Sequence, residues 1–307
     1  MDKYFLIGNN VKIPCIGTGP GSPKSGNRWQ WADGIPYLGR VINAIVRRIN
    51  QRINQYKWVN CLAASLRMGY RLIDYSSAYG NEQLLKKAIR KSGLKREDLF
   101  IISRASNNDQ FNHQVRESFM MSLRKIGTDY LDLYMFHWPV TDHYIETYKE
   151  IERLYKEGLA KSIGVCNCHQ HHLERIMREC EITPMVDEFE VHPLFTQKGL
   201  VGFCKEHGIH VMAYTPLARN DDRLQKNIIL KNIAKKYNKT IYQIILRWDV
   251  QNGLTPIPRS SNVSRNRQNL DIFDFNLSQE EMKAIDSINI NSRLRFDSDN
   301  LDFHSVG

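Results

Sequence analysis

The stretch RLIDYSSAYGNE, residues 71–82, passes from a short apolar run into small polar residues and sets Asp74 and Tyr79 five positions apart. A carboxylate at such a place can hold a cation, and a phenol can hand a proton to a bound group. An unperturbed phenol has a pKa of about 10, so proton donation near neutrality calls for a neighbouring cation that favours its ionised form. Each residue also has a plainer reading, Tyr79 as a packing aromatic and Asp74 as the cap of a turn. The pattern repeats along the chain. Five further apolar runs end on or beside a polar or aromatic residue: Arg104 after DLFIIS, His137 after YLDLYMF, Asn167 after AKSIGVC, Glu188 within PMVDEFE and Tyr214 after GIHVMA.

Something must position these residues. Counting PCIGTG at the start and LTPIP at the end, eight apolar runs alternate with amphipathic stretches at roughly 59–68, 81–91, 111–126, 144–157, 169–179, 197–207 and 225–238, with a shorter one after Pro258. Alternating strands and helices imply parallel strands. Eight such units fit a closed (β/α)8 TIM barrel better than an open doubly wound sheet, which stays open as the alternative on this pattern alone. In a barrel of this kind chemistry gathers where strands hand over to loops at their C-terminal ends. Asp74, Tyr79, Arg104, His137, Asn167, Glu188 and Tyr214 all fall there, so they converge on one rim. The start YFLIGNNVKIP carries an Asn-Asn turn and predicts a β-hairpin before the first barrel strand.

The 307 residues, 42% hydrophobic and 25% charged, suffice for a large core in one large domain or two small ones. No run of about 18 uncharged apolar residues occurs, which excludes a transmembrane helix. MDKYFLIGNN is too short for the apolar region of a secretory signal, so the expected compartment is the cytoplasm and the six cysteines are expected to be thiols. A net charge of +10 comes without RNP, zinc-finger or helix-turn-helix patterns, so no nucleic-acid partner is expected. A basic cleft for an anionic small molecule accounts for the charge as well.

The phrases GYRLIDYSSAYGNE, GTDYLDLYMFHWP, IGVCN, AYTPL and IPRSSNVSRNRQN stand in that order and together resemble the aldo-keto reductases, from residue 4 to about 290 with an interruption at 22–57. The resemblance implies one domain over residues 1–307, a monomer, and reduction of an aldehyde or ketone by hydride from NADPH. It makes Tyr79 the proton donor, tuned and oriented by Asp74, Arg104 and His137. It places Tyr214 against the nicotinamide ring and Cys166, Asn167 and Glu188 around its carboxamide. Arg259, Ser260 and Arg265 match the cluster that holds the 2′-phosphate of NADP, with Gln268 and Asn269 beside the adenine, and arginine suits bidentate phosphate binding.

Two positions depart from the family pattern. Arg104 stands where a lysine is usual; it keeps the charge but spreads it over a plane that prefers two-pronged pairing, which Asp74 is expected to supply. Glu188 stands where a glutamine is usual, and a carboxylate cannot donate to the carboxamide oxygen unless it is protonated. Glu188 can instead neutralise Arg104, and both readings stay open. So does a second function for the whole chain, a sensor or scaffold that keeps the NADP cleft but reduces poorly.

CNCHQHH, residues 166–172, sets two thiols and three imidazoles within seven residues. A single residue between the cysteines bends poorly around one tetrahedral ion, so no metal is expected. GTGPGS, residues 17–22, lacks the third glycine of a dinucleotide loop and reads as a turn. In the insertion, Ile42, Ile45, Val46, Ile49 and Ile53 recur at helical spacing beside Arg40, Arg47, Arg48 and Arg52. A helix over the substrate mouth is the preferred reading, with a partner-binding helix and a packed decoration left open. Trp29, Trp31 and Tyr37 are candidates to line an aromatic pocket, although loop packing is the simpler role.

Overall fold

The structure, a computed structural model, describes residues 3–21, 23 and 36–305. Strands β1 (Tyr4–Ile7) and β2 (Val11–Pro14) form the expected antiparallel hairpin, with Asn9 and Asn10 at positive φ in its turn. Eight parallel strands follow: β3 (Gly17–Thr18), β4 (Leu72–Asp74), β5 (Phe100–Ala105), β6 (Leu133–Phe136), β7 (Ile163–Cys166), β8 (Val186–Glu190), β9 (His210–Tyr214) and β10 (Thr255–Ile257). They neighbour one another in chain order. The Gly19 amide donates to the carbonyl of Pro258 at 3.4 Å across the seam between first and last. All eight expected runs are strands of a (β/α)8 TIM barrel. The hairpin covers the end away from the candidate site, with Gly8 against Met185 just before β8 and Phe5 5.2 Å from the His210 ring at the start of β9.

Helices α1 (Pro36–Met68), α2 (Glu82–Ser92), α3 (Asn107–Phe111), α4 (Val115–Ile126), α5 (Tyr144–Lys156), α6 (Gln170–Glu179), α7 (Lys198–Glu206), α8 (Asp222–Gln225), α9 (Ile228–Tyr237), α10 (Ile241–Gln251), α11 (Val263–Leu270) and α12 (Gln279–Asp286) wrap the barrel. Two of them, α10 and α12, are absent from the sequence reading. In α10 the residues from Gln243 to Val250 are all buried, so it shows no polar face and no helical stripe to read. Its start is nevertheless marked by the Thr240–Gln243 capping box. The same device, Ser278 with Glu281, opens α12.

Among its described residues the insertion forms no separate helix. It runs into the first barrel helix without a break, giving α1 33 residues. From Asn43 to Lys57 every side chain is half-buried or exposed, with Ile45, Ile49 and Ile53 open to solvent, so no buried contact lays this half over the mouth. Trp29 and Trp31 lie outside the described residues, as do the side chains of Tyr37, Arg40 and Ile42. The packed half begins at Trp58, whose indole N–H donates to the carbonyls of Pro20 and Gly21 at 3.1 and 3.0 Å. Gly21 is also held by the Asn81 side-chain amide at 3.2 Å. It sits at φ 55°, a left-handed conformation that calls for glycine, and the Arg259 guanidinium lies over the space a Cβ would take.

Six free cysteines agree with a thiol chemistry throughout. Among the described residues no helix is long and apolar enough to cross a membrane. Trp58 is the anchor that ties α1 to the loop after β3. Trp58→Phe removes the donor while keeping most of the ring, and is expected to lower stability by roughly 1–2 kcal/mol. The check is a lower urea midpoint at unchanged slope; an unaltered midpoint would show that these hydrogen bonds carry no net stability.

Candidate active site

Asp74 closes β4, and the chain turns at once. Ser76 caps the turn by accepting from the Ala78 amide at 3.3 Å, Tyr79 follows, and Gly80 leaves the turn at φ 60°. The capping role considered for Asp74 therefore belongs to Ser76, and the Asp74 carboxylate is free for other work. It meets Arg104, two residues beyond Ile102, its register partner on β5. Arg104 is almost wholly buried. Its Nη2 contacts Oδ1 of Asp74 and, at 2.5 Å, Oε2 of Glu188 on β8. Nη1 donates to the Tyr75 carbonyl at 3.3 Å, and Nε meets no protein acceptor.

The expected two-pronged pair with Asp74 does not form. One nitrogen bridges two carboxylates, so Glu188 shares the arginine, as one of its two readings required. The physical reason is reach: Asp74 ends β4, Glu188 lies in the middle of β8, and a single Nη2 lies between them. With all three groups ionised the cluster carries one excess negative charge in a buried place. Burial therefore raises the carboxyl of Asp74 above its ordinary range, with the nearby Arg104 charge opposing it. Burial likewise pushes Glu188 up to about 8, opposed by Arg104 and reinforced by Asp74. A protonated Glu188 has the O–H that a carboxylate lacks, which restores the donor of the usual glutamine.

Tyr79 is half-buried at the rim and lies edge-on to Tyr75, with ring centroids 5.7 Å apart. Burial raises its phenol pKa, and Arg104 and Arg259 pull it down while Asp74 and Glu188 push it up. The net shift is upward, because burial outweighs the Arg104 charge and the two acids that share that cation oppose it further. His137, held by its backbone amide to the Ala105 carbonyl at 3.0 Å, is pushed down to about 3 by burial and by the Arg104 and Arg295 charges. It is a neutral imidazole near pH 7, and its Nδ1 has no protein partner.

The candidate cofactor residues divide into two groups. Asn167 sits at φ 59° on the end of β7, where asparagine tolerates a left-handed backbone. Its amide donates to the His137 carbonyl at 2.9 Å and accepts from the Tyr214 hydroxyl at 2.6 Å. Each end of that amide retains one unused donor or acceptor. Cys166 is enclosed in the core and burial holds its thiol well above the usual range, so a direct cofactor contact from it is not supported. At the other end, Arg259, Arg265 and Gln268 are exposed around the start of α11, Ser260 is half-buried, and Asn269 is buried. Two exposed guanidinium groups at one helix start fit a phosphate.

The sequence reading missed Glu190 and the segment it holds. Glu190 is buried, and its two carboxylate oxygens accept the amides of Leu294 and Arg295 at 2.9 Å each. That brings Arg295 near His137 and sets Phe296 6.5 Å from the Trp138 ring. An acid at the very end of β8 was the available signal, two residues past Glu188.

Comparison with known proteins agrees with this geometry. Residues 46–290 match the aldo/keto reductase family model. The chain is 44% identical to the glyoxal reductase of Bacillus subtilis over 78% of its length and 86% of that protein. Among solved structures, an aldo-keto reductase enzyme from a Medee basin deep-sea metagenome library superposes with a TM-score of 0.84 at 34% identity, covering 97% of this chain and 99% of the other. An aldo-keto reductase of Bombyx mori in complex with NADP gives 0.80 at 30% identity, covering 96% and 95%.

The shared arginine sets a sign for pH dependence. Glu188 rises from an ordinary 4.5 to about 8 in the folded chain. The folded state therefore binds more protons than the unfolded one between those values, and stability falls as pH rises through that window. Glu188→Gln removes this titration, so its melting temperature is expected to decline less steeply than the parent's from about pH 5 to pH 8. Parallel profiles for the two proteins would show that Glu188 does not titrate there.

Proposed function

This chain belongs to the aldo/keto reductase family, and from that premise we propose that it reduces a small aldehyde or ketone to the alcohol, with NADPH as the hydride donor and Tyr79 as the proton donor. The carrying observation is the placement of Tyr79. It is half-buried on the rim within the field of Arg104 and Arg259, and Arg104 acts as well on His137, a neutral imidazole whose Nδ1 has no partner among the described residues. NADPH supplies the hydride when bound. Tyr79 supplies the proton to the carbonyl oxygen as that oxygen gains charge, and His137 orients the carbonyl. Asn167 and a protonated Glu188 hold the carboxamide, Tyr214 backs the nicotinamide ring, and Arg259, Ser260 and Arg265 take the 2′-phosphate, with Gln268 and Asn269 toward the adenine.

The glyoxal reductase relative supports a compact dicarbonyl as the first substrate class to try. Arg295, exposed beside the mouth and felt at His137, favours an anionic member of that class. The raised phenol pKa of Tyr79 leaves it a firm holder of its proton, which suits donation to a strongly basic alkoxide better than to a weakly basic oxygen.

Two measurements test the proposal. Tyr79→Phe is expected to abolish NADPH-dependent reduction of glyoxal or methylglyoxal while leaving NADPH affinity nearly unchanged, because the phenol acts on substrate. Retained turnover would remove Tyr79 from the mechanism. A parent that binds NADPH but turns over no aldehyde would favour the sensor reading. Arg259→Ala is expected to weaken NADPH binding by about 1.5–3 kcal/mol and leave NADH binding little changed. Equal losses for both cofactors in a fluorescence titration would place the 2′-phosphate elsewhere.

A further inference from the structure

His169, at the start of α6, has both ring nitrogens directed at carboxylates of the C-terminal segment. Nδ1 lies 3.0 Å from Oδ2 of Asp299, and Nε2 lies 3.3 Å from Oδ1 of Asp297. A neutral imidazole has one N–H, so it can donate to only one of the two. The other oxygen of Asp299 lies 3.3 Å from Nε2 of His171. One imidazole at the cap of α6, one from its first turn and a carboxylate from the distant C-terminal segment thus present three ligand atoms, all within 4.8 Å of one another.

The geometry points to a divalent transition-metal site formed by His169, His171 and Asp299, with zinc as its representative ion. Bonds of about 2.0–2.2 Å around a tetrahedral zinc put neighbouring ligand atoms about 3.3 Å apart, and the two imidazole nitrogens already lie 3.0 and 3.3 Å from the Asp299 carboxylate. Three protein ligands leave the fourth position to water. The surroundings carry the mark of a ligand set. With Nδ1 of His169 on the metal, its Nε2–H donates to Asp297, the carboxylate–histidine–metal arrangement that fixes tautomer and ring orientation. The conflict at His169 is then resolved.

His172 stands beside the site without a hydrogen bond to its ligand atoms. Its Nδ1 accepts the His169 backbone amide at 3.1 Å, so its proton sits on Nε2, 3.8 Å from the Asp299 carboxylate. The two cysteines of CNCHQHH play no part, since Cys166 and Cys168 are buried in the core. The sequence reading rejected zinc on the spacing of those thiols; the carboxylate that replaces them is some 130 residues away and was not visible in the motif. A metal here would clasp residues 297–299 to α6, just past the two amides of Leu294 and Arg295 that Glu190 holds. Its site is separate from the proposed chemistry and needs no cofactor.

The test uses the full chain, stripped with a chelator and titrated with zinc chloride near neutral pH by calorimetry. One equivalent of zinc per chain is expected. His171→Ala and Asp299→Asn should each weaken binding tenfold or more, and Asp297→Asn by about 10–100-fold through loss of the His169 orientation. His207→Ala, on another surface, should leave the affinity unchanged. Cobalt(II) offers a second readout, a visible d–d absorption in the parent that is lost in Asp299→Asn while the circular dichroism of both stays native. Absence of saturable binding, or equal affinity in parent and Asp299→Asn, would overturn the site.

Discussion

One buried guanidinium between two carboxylates governs the rim. Arg104 contacts Asp74 on β4 and Glu188 on β8 through a single nitrogen, so strands from opposite sides of the barrel are tied by one charge. Taking charge out of water is costly, and the cluster tolerates it because each acid faces the cation and burial favours protonation of Glu188. Removing the arginine would leave two buried acids without their cation, which ranks it above any single apolar contact in this region. The same sharing limits what Arg104 can do for Tyr79. Its charge is spent on the acids before it reaches the phenol.

The barrel was legible because its strands are short apolar runs that end on polar residues, a pattern that survives in one sequence. Asp74, Arg104, His137, Asn167 and Tyr214 all lie where strand ends place them, and Asp74, Arg104 and Glu188 are in direct contact. Three things were not legible. The α10 helix is buried on every side, so its periodicity is silent. The length of α1 was hidden because Pro36 to Lys57 read as a separate unit, while nothing in the sequence marks a break before Trp58. The bridging of two acids by one nitrogen is a matter of reach across the barrel, which spacing along the chain does not encode.

The C-terminal segment was the largest gap. Residues after 290 carry no strand or long helix, and the family resemblance stops there. The structure gives them a role through polar contacts and one small apolar cluster: Glu190 receives two of their amides, Asn107 donates to the Phe303 carbonyl at 3.1 Å, the His304 ring stacks on Phe111 with centroids 4.1 Å apart, and Phe303 packs with Trp138 and Val140. Hydrogen bonds between a strand-end acid and a passing backbone leave no hydrophobic signature. A loop in the sequence is thus a fixed wall in the fold.

The division of α1 at Trp58 has a consequence for how the chain opens. At 1.5 Å per residue its 33 residues span about 50 Å, yet among its described side chains, from Asn43 on, burial begins only at Trp58. A helix rich in β-branched residues and lacking a packed face is held by backbone hydrogen bonds of marginal net worth. Amide exchange along this one helix should therefore be graded, fast and local ahead of Trp58, slow and tied to global unfolding behind it. A single continuous helix would then belong to two cooperative units, with the boundary set by an indole and two carbonyls.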